Sequence, residues 1–352
     1  VAAGLCLLAL LAMPGRALAE PAAAAKTGVL LLAHGGSASW NERVKALAGK
    51  VGEKMPIEVA FGMASRPSIQ GAVDKLVAAG VSEIVAVPLF VSDHSSVITS
   101  TAYLLGARDD MPEDLKMFAK MDHSSHGAPA PAAASTGAST GTSTGASTAT
   151  TANAAQPATP AAADAHAGHA GHAAAAPAQD NTARVNSPVP IRMTGALGRH
   201  RLVAEILAAR ASSISKDAAG EAVILVAHGP VADDENTRWV QDMLALAAGI
   251  HGAAPFASVD ALTVRDDAEK PVRDAATAEL RALVEKRTSE KKRVLLVPVL
   301  MSYGGIERGI KKRLEGLDYT MPENGLMPDD RLVTWVLEMA SSSDRAASSA
   351  SR

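Results

Sequence analysis

A chain of 352 residues has room for two ordinary domains, and its 34 Lys and Arg set against 37 Asp and Glu leave a formal net charge of -3. That balance lacks the basic excess expected of a nucleic-acid binder, so a small-molecule partner is expected. The hydrophobic content of 47% overstates the core, because much of it is alanine in the first 25 residues and in a long middle tract, and aromatics make up only 3%.

Leu5 to Ala12 form a short apolar run, followed by Pro14-Gly15 and by Ala17-Leu-Ala19 ahead of Glu20-Pro21. This is the pattern of a secretory signal over residues 1–19, so a periplasmic or secreted chain is expected. The run falls well short of the roughly 20 residues needed to cross a bilayer. Cys6, the single cysteine, lies inside it. The mature chain would then have neither disulfides nor thiolate ligands, and any metal would be held by nitrogen or oxygen.

Val29-Leu-Leu-Leu-Ala-His-Gly-Gly36 returns as Val223-Ile-Leu-Val-Ala-His-Gly-Pro230, so the protein is a doubled unit. A run of aliphatic residues closed by glycine reads as a buried parallel strand and a tight turn. In order, the first half predicts a strand over 28–33, then a helix over 41–55 with Val44, Leu47, Val51 and Met55 on one face. A strand over 57–64 follows, then a helix opened by Pro67 and closed by Gly80. A third strand covers 83–90, and Ser95 or Ser96 caps a helix running through Leu105.

From about Met121 the composition shifts to Ala, Ser, Thr, Gly and Pro, which cannot bury enough apolar surface to fold. The repeat argues that this tract is an insertion rather than a linker. Gly195-Ala-Leu-Gly-Arg-His-Arg-Leu-Val-Ala-Glu-Ile-Leu207 matches Gly325-Leu-Met-Pro-Asp-Asp-Arg-Leu-Val-Thr-Trp-Val-Leu337, yet Pro88 to Gly195 is far longer than its counterpart, Pro298 to Gly325. Lobe one is therefore expected to comprise 26–120 plus 188–215, with a disordered insertion over 121–187. Lobe two is expected over 216–340, with strands at Val223 and over 293–300 and helices over 238–250 and 271–286. A disordered tail over 341–352 completes the division.

His34, Arg66 and His94 follow the first, second and third strands, so a parallel α/β sheet gathers them at one carboxyl edge, where such sheets bind ligands. Neutral imidazoles bind divalent metals and accept protons near neutral pH. The alternative, a pair of turn histidines satisfied by backbone, stays open on spacing alone. Lobe two lacks a counterpart of His94, since the ungapped register puts Gly304 there, beside Tyr303. Asp233, Asp234 and Glu235, which follow His228, have a sufficient electrostatic reason at the start of a helix.

Leu-Leu-Ala-His34-Gly, Ala-Phe61 with Arg66-Pro-Ser-Ile69, Val87-Pro-Leu-Phe90 with His94, and Leu197-Gly with Leu202-Val-Ala-Glu-Ile-Leu207 resemble the CbiX-type sirohydrochlorin chelatases, relatives of the CbiK enzymes and ferrochelatase. The resemblance covers both lobes but neither the leader nor the insertion. It implies a class II chelatase with two Rossmann-like halves, each with a parallel sheet, related by a pseudo-twofold. It further implies a tetrapyrrole in the cleft that receives Co²⁺, foremost, or Ni²⁺ or Fe²⁺, without ATP or a resident cofactor. His34 and His94 match the family's paired histidines, as catalytic and metal-binding residues, and Arg66, Ser92 and Tyr303 are expected on the macrocycle side. Related enzymes often carry Ala-Phe-Leu-Glu after the second strand, where this chain has Ala60-Phe-Gly-Met63, without the carboxylate. The rival reading from another class is a non-catalytic metal or tetrapyrrole carrier on the same fold.

His123, His126, His166, His169 and His172 in the insertion form a further candidate, a metal-collecting arm that binds divalent ions loosely. The plain alternative is a passive low-complexity loop. For the arm, deleting residues 123–172 raises the Co²⁺ concentration needed for half-maximal metallation rate; an unchanged value favours the passive loop.

Overall fold

The structure, a computed structural model, describes residues 26–120 and 180–342. The expected leader, most of the insertion with its five histidines, and the tail beyond Ser342 lie outside these residues. The first half runs β1 (Thr27–Ala33), α1 (Ala38–Gly52), β2 (Ile57–Phe61), α2 (Arg66–Ala78), β3 (Glu83–Pro88), α3 (Ser96–Leu104), α4 (Asp114–Phe118), β4 (Ile191–Met193) and α5 (Arg201–Ile214). The second runs β5 (Glu221–Ala227), α6 (Asp233–Ala253), β6 (Ser258–Thr263), α7 (Lys270–Ser289), β7 (Arg293–Pro298), α8 (Ile306–Arg313) and α9 (Arg331–Ser341).

Both sheets are parallel, in the orders β2-β1-β3-β4 and β6-β5-β7. The counterpart of β4 in the second sheet has shrunk to a single parallel bridge between Leu295 and Thr320. The sequence repeat is thus a structural one, and the chain is α/β as its strand and helix alternation requires.

Local chemistry explains most element ends. Ser95 caps α3, its side chain accepting from the Ile98 amide, and Pro67 sits in the first turn of α2 where its missing N–H costs nothing. Gly80 ends that segment with φ near +73°, a region that favours glycine. Ser37 caps α1 and starts it ahead of the expected Asn41. The strand β6 has no clear apolar signature because it carries Asp260, which is satisfied by two hydrogen bonds from Arg287 at 2.6 and 2.8 Å.

Alternate residues of each strand enter different cores. On the outer face of the first sheet Leu30, Leu32, Ile84 and Ala86 pack with α2, α3 and α4. On the outer face of the second, Ile224, Val226, Val294 and Leu296 pack with α7 and α8. The inner faces of both sheets contribute to a single central core, where Val29, Leu31, Val85 and Val87 meet the same helical layer as Val223, Leu225, Leu295 and Val297.

That layer is made by exchange. α9, from the second half, packs on β3 and α1 of the first, while α5, from the first half, packs on β7 and α6 of the second. Arginines clasp the exchanged helices at their carboxyl ends, where free carbonyls and the helix dipole favour a cation. Arg192 donates to the Ala340 carbonyl at 2.5 Å, and Arg293 donates to the Ile214 carbonyl at 2.9 Å. Residues 188–215, expected in lobe one, thus supply β4 to the first sheet, while α5 sits on the second.

The start of the returning segment also differs from the compositional division. Residues 181–187, expected within the insertion, lie against α2 and α3: the Val185 amide donates to the Leu104 carbonyl at 2.8 Å, and Arg184 stacks over the Tyr103 ring at 5.2 Å. Nearby, Asn181 donates to the Ala119 carbonyl at 3.2 Å. Among the described residues no helix is long and apolar enough to cross a membrane.

Trp335 of α9 is fully buried in the shared core and its indole N–H has no partner. Trp335→Ala should cost about 3–5 kcal/mol, and Trp335→Phe, which forfeits no hydrogen bond, much less. Urea unfolding followed by circular dichroism checks this, with both lobes expected to melt in one transition.

Candidate metal-handling site

The repeated Ala-His-Gly turn makes the same local structure twice. His34 and His228 each step off the end of the central strand of a sheet, and each is followed by a glycine with positive φ, +83° at Gly35 and +78° at Gly229. This turns the glycine carbonyl back toward the ring. Nδ1 of His34 lies 2.7 Å from the Gly35 oxygen and Nδ1 of His228 lies 2.8 Å from the Gly229 oxygen. At Gly229 a Cβ would lie 2.5 Å from Cβ of Thr263, so glycine is required there for space as well as conformation.

Beyond that shared turn the two histidines differ. His34 is exposed, and a ring that donates Nδ1–H to its own turn keeps Nε2 as a lone pair. His228 is only part-exposed, and its Nε2 lies 3.2 Å from Oδ2 of Asp267. Both its nitrogens face acceptors, an arrangement that only the imidazolium satisfies fully. Burial works against that charge, but the hydrogen bond and charge of Asp267, with Gly229 and Asp266, outweigh it and hold the pKa of His228 above its ordinary value. Asp267 is correspondingly held below the usual carboxylate range, first by its bond to His228 and against some burial, and His34 and Arg273 add to the effect.

The β6–α7 loop places that carboxylate. Arg265, buried and itself at φ +50°, donates to the Pro230 carbonyl at 3.0 Å, to Asp233 at 2.7 Å and to the Val231 carbonyl, which ties the loop to the turn after His228. Asp266 is taken by Arg313 of α8. Asp267 alone is left for the histidine.

His94 is organised by the opposite lobe. The buried Ser92 hydroxyl accepts its amide at 3.1 Å, and Asp93 accepts the Ala196 amide at 2.5 Å, so both residues shape the turn. The His94 carbonyl accepts from the Trp239 indole at 2.6 Å, and Nε2 faces Oδ2 of Asp242 at 3.6 Å. Asp242 is in turn bound by Arg199 at 2.6 Å. Other interlobe ties lie nearby: Arg43 of α1 donates to Ser302, and Gly304 approaches Ser37 and Trp40.

The remaining expected residues are engaged by backbone. Arg66 donates Nε–H to the Ala183 carbonyl at 2.9 Å, and the Tyr303 hydroxyl donates to the Pro322 carbonyl at 2.9 Å. Burial, and then the charge of Glu307, push that phenol up, so it stays neutral. Met63 packs beside the outer core of the first lobe. Among the described residues, no group of three or more His, Cys, Asp or Glu side chains is placed to hold a metal ion. Asp267, Asp242, Trp239 and Arg265 escaped sequence reasoning; the Asp266-Asp267 pair after β6, the second strand of its half, was the available signal.

The raised pKa of His228 gives stability that is complete below the ordinary histidine value and is lost as the pH rises through the folded one. The lowered pKa of Asp267 gives stability present above the ordinary carboxylate value and lost as the pH falls through the folded one. The pair therefore contributes most between the two ordinary values, about 3.9 and 6.5. Asp267→Asn leaves burial as the dominant influence, so the imidazole titration of His228, followed by NMR, should drop below its ordinary midpoint; an unmoved midpoint contradicts the pairing.

Residues 28–116 match the family model CbiX. Among solved structures, SirB from Bacillus subtilis with Fe3+ is 14% identical, with 90% of this chain and 96% of that chain covered and a TM-score of 0.54. The sirohydrochlorin chelatase SirB from Bacillus subtilis subspecies spizizenii in complex with cobalt is also 14% identical, covering 90% and 95% at a TM-score of 0.49. No curated protein matches the chain. At such identity the SirB likeness with the higher score shows the fold alone: the chain has a chelatase fold, and residues 28–116 of its first half match the CbiX family model.

Proposed function

We propose that the protein is an ATP-independent chelatase that inserts a divalent metal, cobalt foremost and nickel or iron as alternatives, into a sirohydrochlorin-type tetrapyrrole. The observation that carries this reading is His34: it stands just past the end of β1 in the segment that matches the CbiX model, is exposed, and sets Nδ1 against the Gly35 carbonyl of its own turn. Insertion breaks two pyrrole N–H bonds, leaves both electron pairs on nitrogen to bind the metal, and releases two protons. His34 is suited to hand over the metal and to take a proton afterwards, and His94 is the second base. No phosphoryl donor enters this balance.

One observation favours a carrier as the second reading. The Nε2 atom of His94 is directed at Asp242, and the loop after β2 has no acid, so the first lobe alone offers one open imidazole.

His34→Ala and His94→Ala should each reduce the metallation rate by about 10²-fold or more, the scale for loss of a positioned base. Both should fold, since His34 is exposed and the Trp239 contact uses the His94 carbonyl, which alanine keeps. The assay is the absorbance change of sirohydrochlorin with Co²⁺, Ni²⁺ or Fe²⁺, against a no-protein control. Binding of macrocycle or metal with no acceleration assigns the carrier role instead.

A further inference from the structure

His94 is held by one face of a helix from the other half. Trp239 and Asp242 stand three residues apart on α6 and so lie on the same side of it. The first donates its indole N–H to the His94 carbonyl at 2.6 Å, and the second sets Oδ2 3.6 Å from Nε2 of the ring. With the Ser92 hydroxyl on the His94 amide at 3.1 Å, backbone and ring are gripped together. The Asp242 side chain is 8% exposed, and Arg199 takes its other oxygen at 2.6 Å, which leaves Oδ2 for the imidazole. The related contact of α1 with the loop of the second half lacks both partners. In the register set by His34 and His228, Lys45 and Ala48 stand where α6 has Trp239 and Asp242, and that loop has Gly304 in place of His94.

We infer that Asp242 is a positioning residue for His94: it holds the neutral ring with its hydrogen on Nε2, so that Nδ1 is the nitrogen that works in the reaction. A carboxylate offers acceptors alone, so the imidazole nitrogen that faces one carries the hydrogen. At 3.6 Å the two atoms stand just beyond hydrogen-bond distance, a common spacing for such pairs before substrate binds. Among the described residues no group bonds Nδ1, and 24% of the His94 side chain is exposed. Engaging Nε2 therefore does not close the ring. The contact counts toward a carrier only if Nε2 is the working atom, and it supports a base when Nδ1 is. His34 is set the other way round, since Nδ1 faces the Gly35 carbonyl and its neutral ring keeps the lone pair on Nε2. One histidine is thus oriented by its own turn and the other by a carboxylate from the opposite half.

This inference rests on the chelatase reading for what the lone pair does, and the test separates the two. In the full chain labelled with the heavy nitrogen isotope, the His94 ring signals are identified by their loss in His94→Ala and read by NMR above the ordinary histidine pKa, where the ring is neutral. The wild type should show a protonated Nε2 and a lone pair on Nδ1. In Asp242→Asn the Arg199 donor keeps the amide oxygen, which turns the amino group to His94. The tautomer should then invert and the metallation rate fall about 10- to 100-fold, the usual scale for a group that orients a histidine. Asp242→Ala, which offers neither donor nor acceptor, should give a mixture of the two forms, and it decides the matter if Asp242→Asn does not fold. A merely structural ion pair predicts the same ring form in wild type and variants; that result, or a wild type protonated on Nδ1, overturns the inference. A tautomer set by Asp242 in a wild type that accelerates no metallation upholds the hold on His94 and overturns the chelatase reading alone.

Discussion

Neither sheet covers its inner face with helices from its own half alone. α1 shields the β2 side of the first sheet and α6 the β6 side of the second, while the β3 and β7 sides are covered by α9 and α5, each from the other half. The central core is therefore common property, and the arginine contacts at the ends of α5 and α9 fasten what the apolar contacts bring together. Burial of this size is the main favourable contribution to folding, and here it cannot be gained by one lobe at a time.

Sharing the core also fixes how the carboxyl edges of the sheets meet. With the inner helices common to both, the loops of one half reach residues of the other: His94 is held by Trp239, Ser302 by Arg43, and Gly304 approaches Trp40. This lets a duplicated unit specialise. The same Ala-His-Gly turn leaves His34 exposed and sets His228 against a carboxylate, Asp267, which the loop after β6 places and for which the loop after β2 has no acidic counterpart. Electrostatics, rather than the histidine itself, sets the two copies apart.

Much of this was legible in the residues. The repeated strands, their parallel alternation with helices, Ser95 as a cap, Pro67 and Gly80 as helix punctuation, and the place of His34 just past the end of β1 all follow from short-range pattern and chemistry. Other features left weak signals. The strand β6 was hidden by Asp260, whose charge is tolerated only because Arg287 reaches it from α7. Residues 181–187 look like the low-complexity tract before them, yet backbone hydrogen bonds to Leu104 and the Arg184 contact hold them on the fold.

By itself the sequence determined that there are two homologous α/β halves, which positions are apolar, and where the strand-end histidines stand, because these depend on periodicities of two and 3.6 residues and on local turn chemistry. Only the tertiary structure decided that α5 and α9 change places, that His94 turns to Asp242, and that Asp267 meets His228. The physical reason is that an amphipathic pattern reports that a face must be buried without naming the surface that buries it. A titratable side chain likewise takes its charge from neighbours that are distant in the chain and become adjacent only on folding.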